Sequence, residues 1–463
     1  MAKKRDLKDK VEKLKAKVRE LKAQVEDVAD EVLDEVAEKA TEVLVKVNKK
    51  LNPVSPLAPA AFPELPVIEG VEFAAIAAGV RYAGRTDVML ARIAPGAAIA
   101  GVFTTSSTRA ACVHDCQAKL KLSVPEGAGA AIVVNSGNAN AFTGTRGQES
   151  VDAVTGAVAA ALGVPASRVF SSSTGVIGEP MPHERIVAAI DGLKAGLDPA
   201  GMEAAARAIM TTDTFPKGAC AEVAGDGGTI RIAGIAKGSG MIAPNMATML
   251  VYLFTDAKIS AANLQKILSR NTDDTFNAIT VDSDTSTSDA LLLAATGRSA
   301  AAEITDLRSK TARAFEAALR GVMLDLAQQV VRDGEGATKF IEVRVTGAET
   351  PADAAKVAFA TANSPLVKTA CAGEDANWGR VVMAVGKSGA RADRDKLRIS
   401  FGDMVLAENG WRVPDYSEEA ASAYMKGDTL VIGIDLGLGK AAKTVWTCDL
   451  THRYIDINAD YRS

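Results

Sequence analysis

The run Lys237-Gly-Ser-Gly-Met-Ile-Ala-Pro-Asn-Met-Ala-Thr-Met-Leu250 stands apart from the rest of the chain. A strand-like stretch, Thr229 to Lys237, leads into it, and an apolar stretch, Met249 to Phe254, leads out. In between, glycines permit left-handed backbone and close approach, and Pro244 interrupts any regular element. The start Lys237-Gly-Ser invites a phosphate-cradling reading, but the order G-x-x-x-x-G-K-[ST] is absent. A threonine where such a loop meets a strand has another use. The Thr248 hydroxyl can attack the Ala247 carbonyl and move the acyl group from nitrogen to oxygen. Hydrolysis of that ester severs the chain. Thr248 would then carry both a β-hydroxyl and an α-amine, and an amine titrating at roughly 8 can act as its own general base. On the residues alone the plainer reading is a buried threonine opening a strand.

Histidine scarcity suits a nucleophile that needs none. Only His114, His183 and His452 exist, so a histidine-based triad or a multi-histidine metal site has little to draw on. The cluster Cys112-x-His114-x-Cys116 has ligands at i, i+2 and i+4, which is not finger spacing, and no second ligand pair follows. It reads as ordinary strand or loop, and no metal is expected.

Composition narrows the classes further. The 463 residues are 48% hydrophobic but only 5% aromatic, which suits helices packed tightly on sheets. The net charge of −4 does not favour nucleic acid, whose phosphates need a concentrated excess of Lys and Arg. Five scattered cysteines, an odd number, fit a reducing compartment and so the cytoplasm. No run approaches the roughly 20 apolar residues of a membrane span, and the N-terminus lacks the apolar core of a secretory signal.

The elements that must position this chemistry follow from periodicity. Apolar residues at Leu7, Val11, Leu14, Val18, Leu21, Val25, Val28 and Val32 trace a heptad seam. Residues 1–50 are therefore a helical extension, either a coiled coil or a lone amphipathic helix. Prolines at 53, 56, 59, 63 and 66 mark a linker over 51–66. Beyond it, strands are expected at Ala130–Asn135, Arg168–Ser173, Thr229–Lys237 and Met249–Phe254, and again from Thr429. Helices are expected at Glu149–Leu162 (closed by Gly163), Glu184–Leu193, Met202–Met210, Ala261–Asn271 and Thr311–Val331. The alternation argues for a mixed α/β architecture.

The nucleophile block resembles the self-cleaving motif of the ornithine acetyltransferase family, also called glutamate N-acetyltransferases. The resemblance extends, in family order, through Asn135-Ser-Gly-Asn-Ala-Asn-Ala-Phe-Thr-Gly144, Ser173-Thr-Gly-Val-Ile-Gly178 and Thr211-Thr-Asp-Thr-Phe-Pro-Lys217. It continues through Asp282-Ser-Asp-Thr-Ser-Thr287, Arg332-Asp-Gly-Glu-Gly-Ala-Thr-Lys339 and Lys368-Thr-Ala to Asn377-Trp-Gly-Arg380. It covers about residues 67–463. Ser106 and Cys112 depart from the pattern, which has Asn and Pro there.

The resemblance implies a mixed α/β sandwich of the self-processing, N-terminal-threonine type. It divides the chain into an α-chain at 67–247 and a β-chain at 248–463, assembled as an α2β2 heterotetramer. It implies that Thr248 takes acetyl from N-acetylornithine and passes it to glutamate. Thr174 and Gly175 match the family's oxyanion hole; on the residues alone, the Ser-Thr-Gly turn is equally a helix N-cap. Thr214, Lys237, Glu335, Asn458 and Ser463 match substrate-contact positions. The transfer needs no cofactor, and acetyl-CoA stays open as a second donor. A related self-processing aminopeptidase, with water as acceptor, is the alternative; an inert core carrying an active coiled coil is a third.

Overall fold

The computed structural model describes residues 13–15, 17, 53–243 and 249–459. Apart from those four early positions, the heptad-patterned extension lies outside the described residues, as do Ala247, Thr248 and Ser463.

Two sheets form the centre. The first has the order β1-β2-β4-β5, with β1 Val71–Ile76, β2 Val88–Ile93, β4 Ala130–Asn138 and β5 Val169–Val176. The second has the order β3-β9-β8-β7-β6, with β3 Ala98–Phe103, β6 Lys217–Gly225, β7 Gly228–Lys237, β8 Leu250–Thr255 and β9 Ala290–Ala295. Only the pairs β4/β5 and β8/β9 run parallel within these two sheets.

Strands covered on both faces read as unbroken apolar runs. All six residues of β8 and all six of β9 are buried. Alternate side chains still part company, because a strand's residues point to opposite faces in turn. Leu250, Tyr252 and Phe254 join Phe73, Met89 and Ile132 of the first sheet, with the Phe73 and Phe254 rings edge to face at 5.0 Å. Val251 and Leu253 turn instead to Leu264, Ile267, Phe315 and Leu319. These belong to two helices, Ala261–Thr272 and Lys310–Arg332, opened by N-caps Ser260 and Ser309 that accept from the amides three residues on. Each such cap is worth about 1 kcal/mol. On the far face of the first sheet, Leu90 and Val133 meet Val154, Val158, Ile186 and Ile190 of helices Gly144–Leu162 and His183–Ala195. The centre is therefore four layers: helices, sheet, sheet, helices.

A third sheet has the order β13-β12-β11-β14-β10-β15, with β10 Phe340–Ala348, β11 Arg398–Phe401, β12 Met404–Glu408, β13 Trp411–Arg412, β14 Thr429–Asp435 and β15 Ala441–Cys448. Helices Pro351–Ala362, Pro365–Ala372 and Trp378–Lys387 pack on it.

Residues 53–66, read above as a linker, lie along the edge strand β6. Leu57 is buried, Phe62 packs on the inter-sheet core, and Ser55 Oγ donates to the Arg332 carbonyl at 2.6 Å. The stretch around Cys112 differs from the strand or loop expected. It is a helix, Ala111–Lys119, with Cys112 and Cys116 buried and His114 exposed. Helical geometry puts i and i+4 on one face and i+2 on the other, so the three side chains do not converge. No helix among the described residues is long and apolar enough to cross a membrane. Among them, no group of three or more His, Cys, Asp or Glu is arranged to hold a metal ion.

Candidate active site

The site gathers where β4, β5 and β7 end. Gly175 on β5 has φ +130°, and a Cβ there would lie 2.3 Å from the Gly137 carbonyl carbon and 2.6 Å from Asn138 N. Only glycine fits this approach, which falls where the β4/β5 register shifts. The asparagines of the first motif build the same turn. Ser173 Oγ donates to Asn135 Oδ1 at 2.7 Å, Asn135 Nδ2 to the Asn138 carbonyl at 2.9 Å, and Asn140 N–H to Asn138 Oδ1 at 2.8 Å. Two sequence blocks, Asn135–Gly144 and Ser173–Gly178, are thus one structure. Thr174 sits inside β5, and the next helix begins only at His183, so the N-cap reading of this turn falls away.

Lys237, the last residue of β7, crosses from the second sheet to the first. Its Nζ donates to Thr174 Oγ1 at 3.2 Å, with the side chain only 3% exposed. Burial pulls its pKa below the ordinary lysine value; Asp213 opposes that shift and Lys217 adds to it.

Behind Lys237 lies a buried ion network. Lys217 Nζ donates to Asp213 Oδ1 at 2.7 Å and Asp333 Oδ2 at 2.6 Å. Asp213 also accepts from Gly238 N–H at 2.6 Å and Thr211 N–H at 2.9 Å. Burial alone would raise Asp213, but the two lysines and these bonds outweigh it and hold it below the usual carboxylate range. Asp333 shifts the other way: burial and the Asp213 charge raise it, and Lys217 only partly compensates. An ammonium between two carboxylates is the pairing that makes such burial tolerable.

Glu335 occupies the opposite side. It is 7% exposed, and a Cβ on Gly240 would come within 2.4 Å of its carboxyl group, so this glycine makes room for the acid. Asn458 Nδ2 donates to Glu335 Oε2 at 2.6 Å. Burial raises the Glu335 pKa, and the Asn458 and Thr212 side chains draw it back.

The structure brings Thr174, Gly175, Lys237, Glu335 and Asn458 together. Thr214 joins the ion network: its hydroxyl donates to Asp333 and accepts from Ser55 N–H at 2.9 Å. Its neighbour Thr212, which the sequence reading passed over, is the threonine of that block that acts on Glu335. Asp289 was also missed. It is 1% exposed, and burial raises its pKa well above the ordinary value, against opposing contacts from Met249 N–H, the Lys237 charge and the Ser286 side chain. It sits where β9 begins beside Met249, and its charge acts on Lys237. Chain on both sides of residues 244–248 is buried, Ala243 at 3% and Met249 at 0%.

Paired buried charges beside a threonine–glycine turn, between two helix-covered sheets, define a layered α/β enzyme. Residues 72–463 match the ArgJ family, and the chain belongs to it. It is 67% identical over 414 residues to the arginine biosynthesis bifunctional protein ArgJ of Ruegeria pomeroyi, covering 89% of this chain and 100% of that one. It is 54% identical to the protein of the same name from Brucella suis, covering 89% and 99%. Among solved structures, ArgJ from Bacillus halodurans is similar at 42% identity and a TM-score of 0.43, covering 45% of this chain and 97% of that one.

Proposed function

We propose that this chain is an acyltransferase of arginine biosynthesis that moves acetyl from N-acetylornithine to glutamate through an acetyl ester on Thr248. Self-cleavage between Ala247 and Thr248 exposes that nucleophile. The observation that carries the reading is the buried Lys237–Thr174 contact, with Glu335 nearby, inside the sequence blocks of family membership. Lys237 suits a substrate carboxylate as a point charge. Glu335, steadied by Asn458, suits an amino-acid ammonium.

The free Thr248 amine takes the hydroxyl proton as Oγ attacks the acetyl carbonyl. The Thr174 hydroxyl and Gly175 N–H stabilise the developing O⁻, a contribution of roughly 3 kcal/mol per donor. The C–N bond breaks and ornithine leaves with the proton. Glutamate then attacks the ester through its α-amine and restores the hydroxyl. No metal or organic cofactor enters, and acetyl-CoA is a second donor suited to the same ester. Ser463 completes the substrate contacts. The four layers fit a sandwich of the self-processing type, the cleaved pieces forming an α2β2 heterotetramer in the cytoplasm, with residues 1–50 as a coiled-coil extension.

Denaturing mass spectrometry of the purified chain beside Thr248→Ala tests this. Two fragments meeting at Ala247/Thr248, with the variant whole, are expected; an intact wild-type chain overturns the nucleophile. Acetyl release without need of glutamate would make the protein an amidohydrolase instead.

A further inference from the structure

Asp282 opens the run Asp282-Ser-Asp-Thr-Ser-Thr287, which the proposed transfer leaves without a role. Its Oδ2 accepts from Met241 N–H at 2.6 Å and its Oδ1 from Ile242 N–H at 2.9 Å. Met241 has φ +57°, a left-handed backbone that a methionine adopts only under outside constraint. Residues just before Asp282 grip the same turn from its other side. Val281 N–H donates to the Ile242 carbonyl at 2.8 Å, and the Thr280 hydroxyl lies 3.1 Å from the same oxygen. Both backbone polar groups of Ile242 are therefore held by residues 280–282, two residues before Pro244.

Asp282 Oδ2 also accepts from the Tyr454 hydroxyl at 3.2 Å. Tyr454 lies on the helix His452–Asn458, whose Asn458 donates to Glu335. That helix has no fully buried residue; Arg453, Tyr454 and Ile457 are half-buried, and the chain passes close over Gly336. Polar ties add to that contact: Tyr454 to Asp282, Asn458 to Glu335, and the Thr451 hydroxyl to the Gly336 carbonyl at 2.7 Å.

We propose that Asp282 is a positioning residue with two outputs: it fixes the strained Met241–Ile242 turn that leads to the cleaved bond, and through Tyr454 it seats the helix whose Asn458 orients Glu335. The first output rests on the self-cleavage proposed above. Cleavage would leave residues 241–242 on one piece and residues 280–282 and 454 on the other, so the same carboxylate would hold the pieces in register.

The test follows full-length wild type, Asp282→Asn and Tyr454→Phe made by cell-free synthesis, with precursor and fragments weighed over time. In Asp282→Asn an amide N–H faces a backbone N–H. Loss of a doubly used charged acceptor should slow cleavage at least about 10-fold, at an unchanged bond. Tyr454→Phe removes one hydroxyl from the helix side only. It should cleave at the wild-type rate, yet raise KM for N-acetylornithine several-fold with kcat little altered, a split that a loss of folded protein does not produce. Wild-type cleavage kinetics in Asp282→Asn overturn the first output, and an unchanged KM in Tyr454→Phe overturns the second. A wild-type chain that never cleaves overturns the self-cleavage reading and the first output with it; the second is then read from N-acetylornithine binding by calorimetry, where Tyr454→Phe should weaken Kd several-fold and an unchanged Kd overturns it.

Discussion

Between the third sheet and its helices, the buried cluster is apolar: Ile341, Val343, Ile399 and Ile432 against Val357, Val367, Val381 and Val385. Lys368, buried near it, donates to the Thr447 hydroxyl, the Cys448 carbonyl and the Cys448 sulfur. Where the first two sheets end, Asp213, Lys217, Lys237, Asp289, Asp333 and Glu335 are buried almost as completely. Burying apolar surface stabilises by about 25 cal/mol per Å², whereas a buried charge costs stability unless paired. Within the charged region the difference repeats. Lys217 is paired with a carboxylate on both sides, while Lys237 donates to one hydroxyl and Asp289 makes no ion pair among the described residues. The satisfied charges tie β6 and the end of β7 to the 211–214 segment and to Asp333, just past the helix Lys310–Arg332. In the proposed transfer, the remaining donors of Lys237 are left for a substrate carboxylate.

Lys217→Met should break this contrast most severely. It strands Asp213 and Asp333 without their cation, at a cost of about 3–5 kcal/mol in denaturant unfolding. Lys237→Met should behave oppositely. Acetyl transfer should fall roughly 100-fold, with unfolding stability unchanged or higher, since an under-paired buried ammonium is replaced by an apolar chain of similar shape. Equal losses of stability in both variants would erase the distinction. In the third sheet, Ile399→Val should cost about 1 kcal/mol and leave kcat and KM alone.

The last effect is a pH dependence. Asp289 holds its proton to higher pH in the folded protein than in the unfolded chain. Its contribution is therefore full below the ordinary carboxylate value of about 3.9 and is lost as pH rises through the raised one. Relative to Asp289→Asn, wild-type unfolding free energy should decline from about pH 4 upward; parallel curves would mean that Asp289 is paired.

Much of the fold was legible. Gly228–Lys237 and Leu250–Thr255 lie within a residue of the strands that alternation and apolar runs suggested, and Lys310–Arg332 matches the long amphipathic helix. The helices at 351–387 were passed over, although Thr350 and Ser364 cap the first two and Pro351 and Pro365 open them. The helix at Ala111–Lys119 was misread because short segments of mixed polarity carry little periodic signal.

Sequence alone determined the elements with strong periodicity, the family, and the residue types of the site, because these are properties of neighbours along the chain and of ordered motifs. Tertiary structure decided which residues meet. Asp213 and Lys217 stand four apart and could be paired on paper, but Asp333, 116 residues beyond Lys217, completes the network only through packing of the helix that precedes it. The same packing turned Thr214 toward Asp333 and Ser55, left Thr212 for Glu335, and brought Gly137 against Gly175. Hydrogen bonds and close contacts act over a few ångströms, and no spacing along the chain encodes which distant segments come within that range.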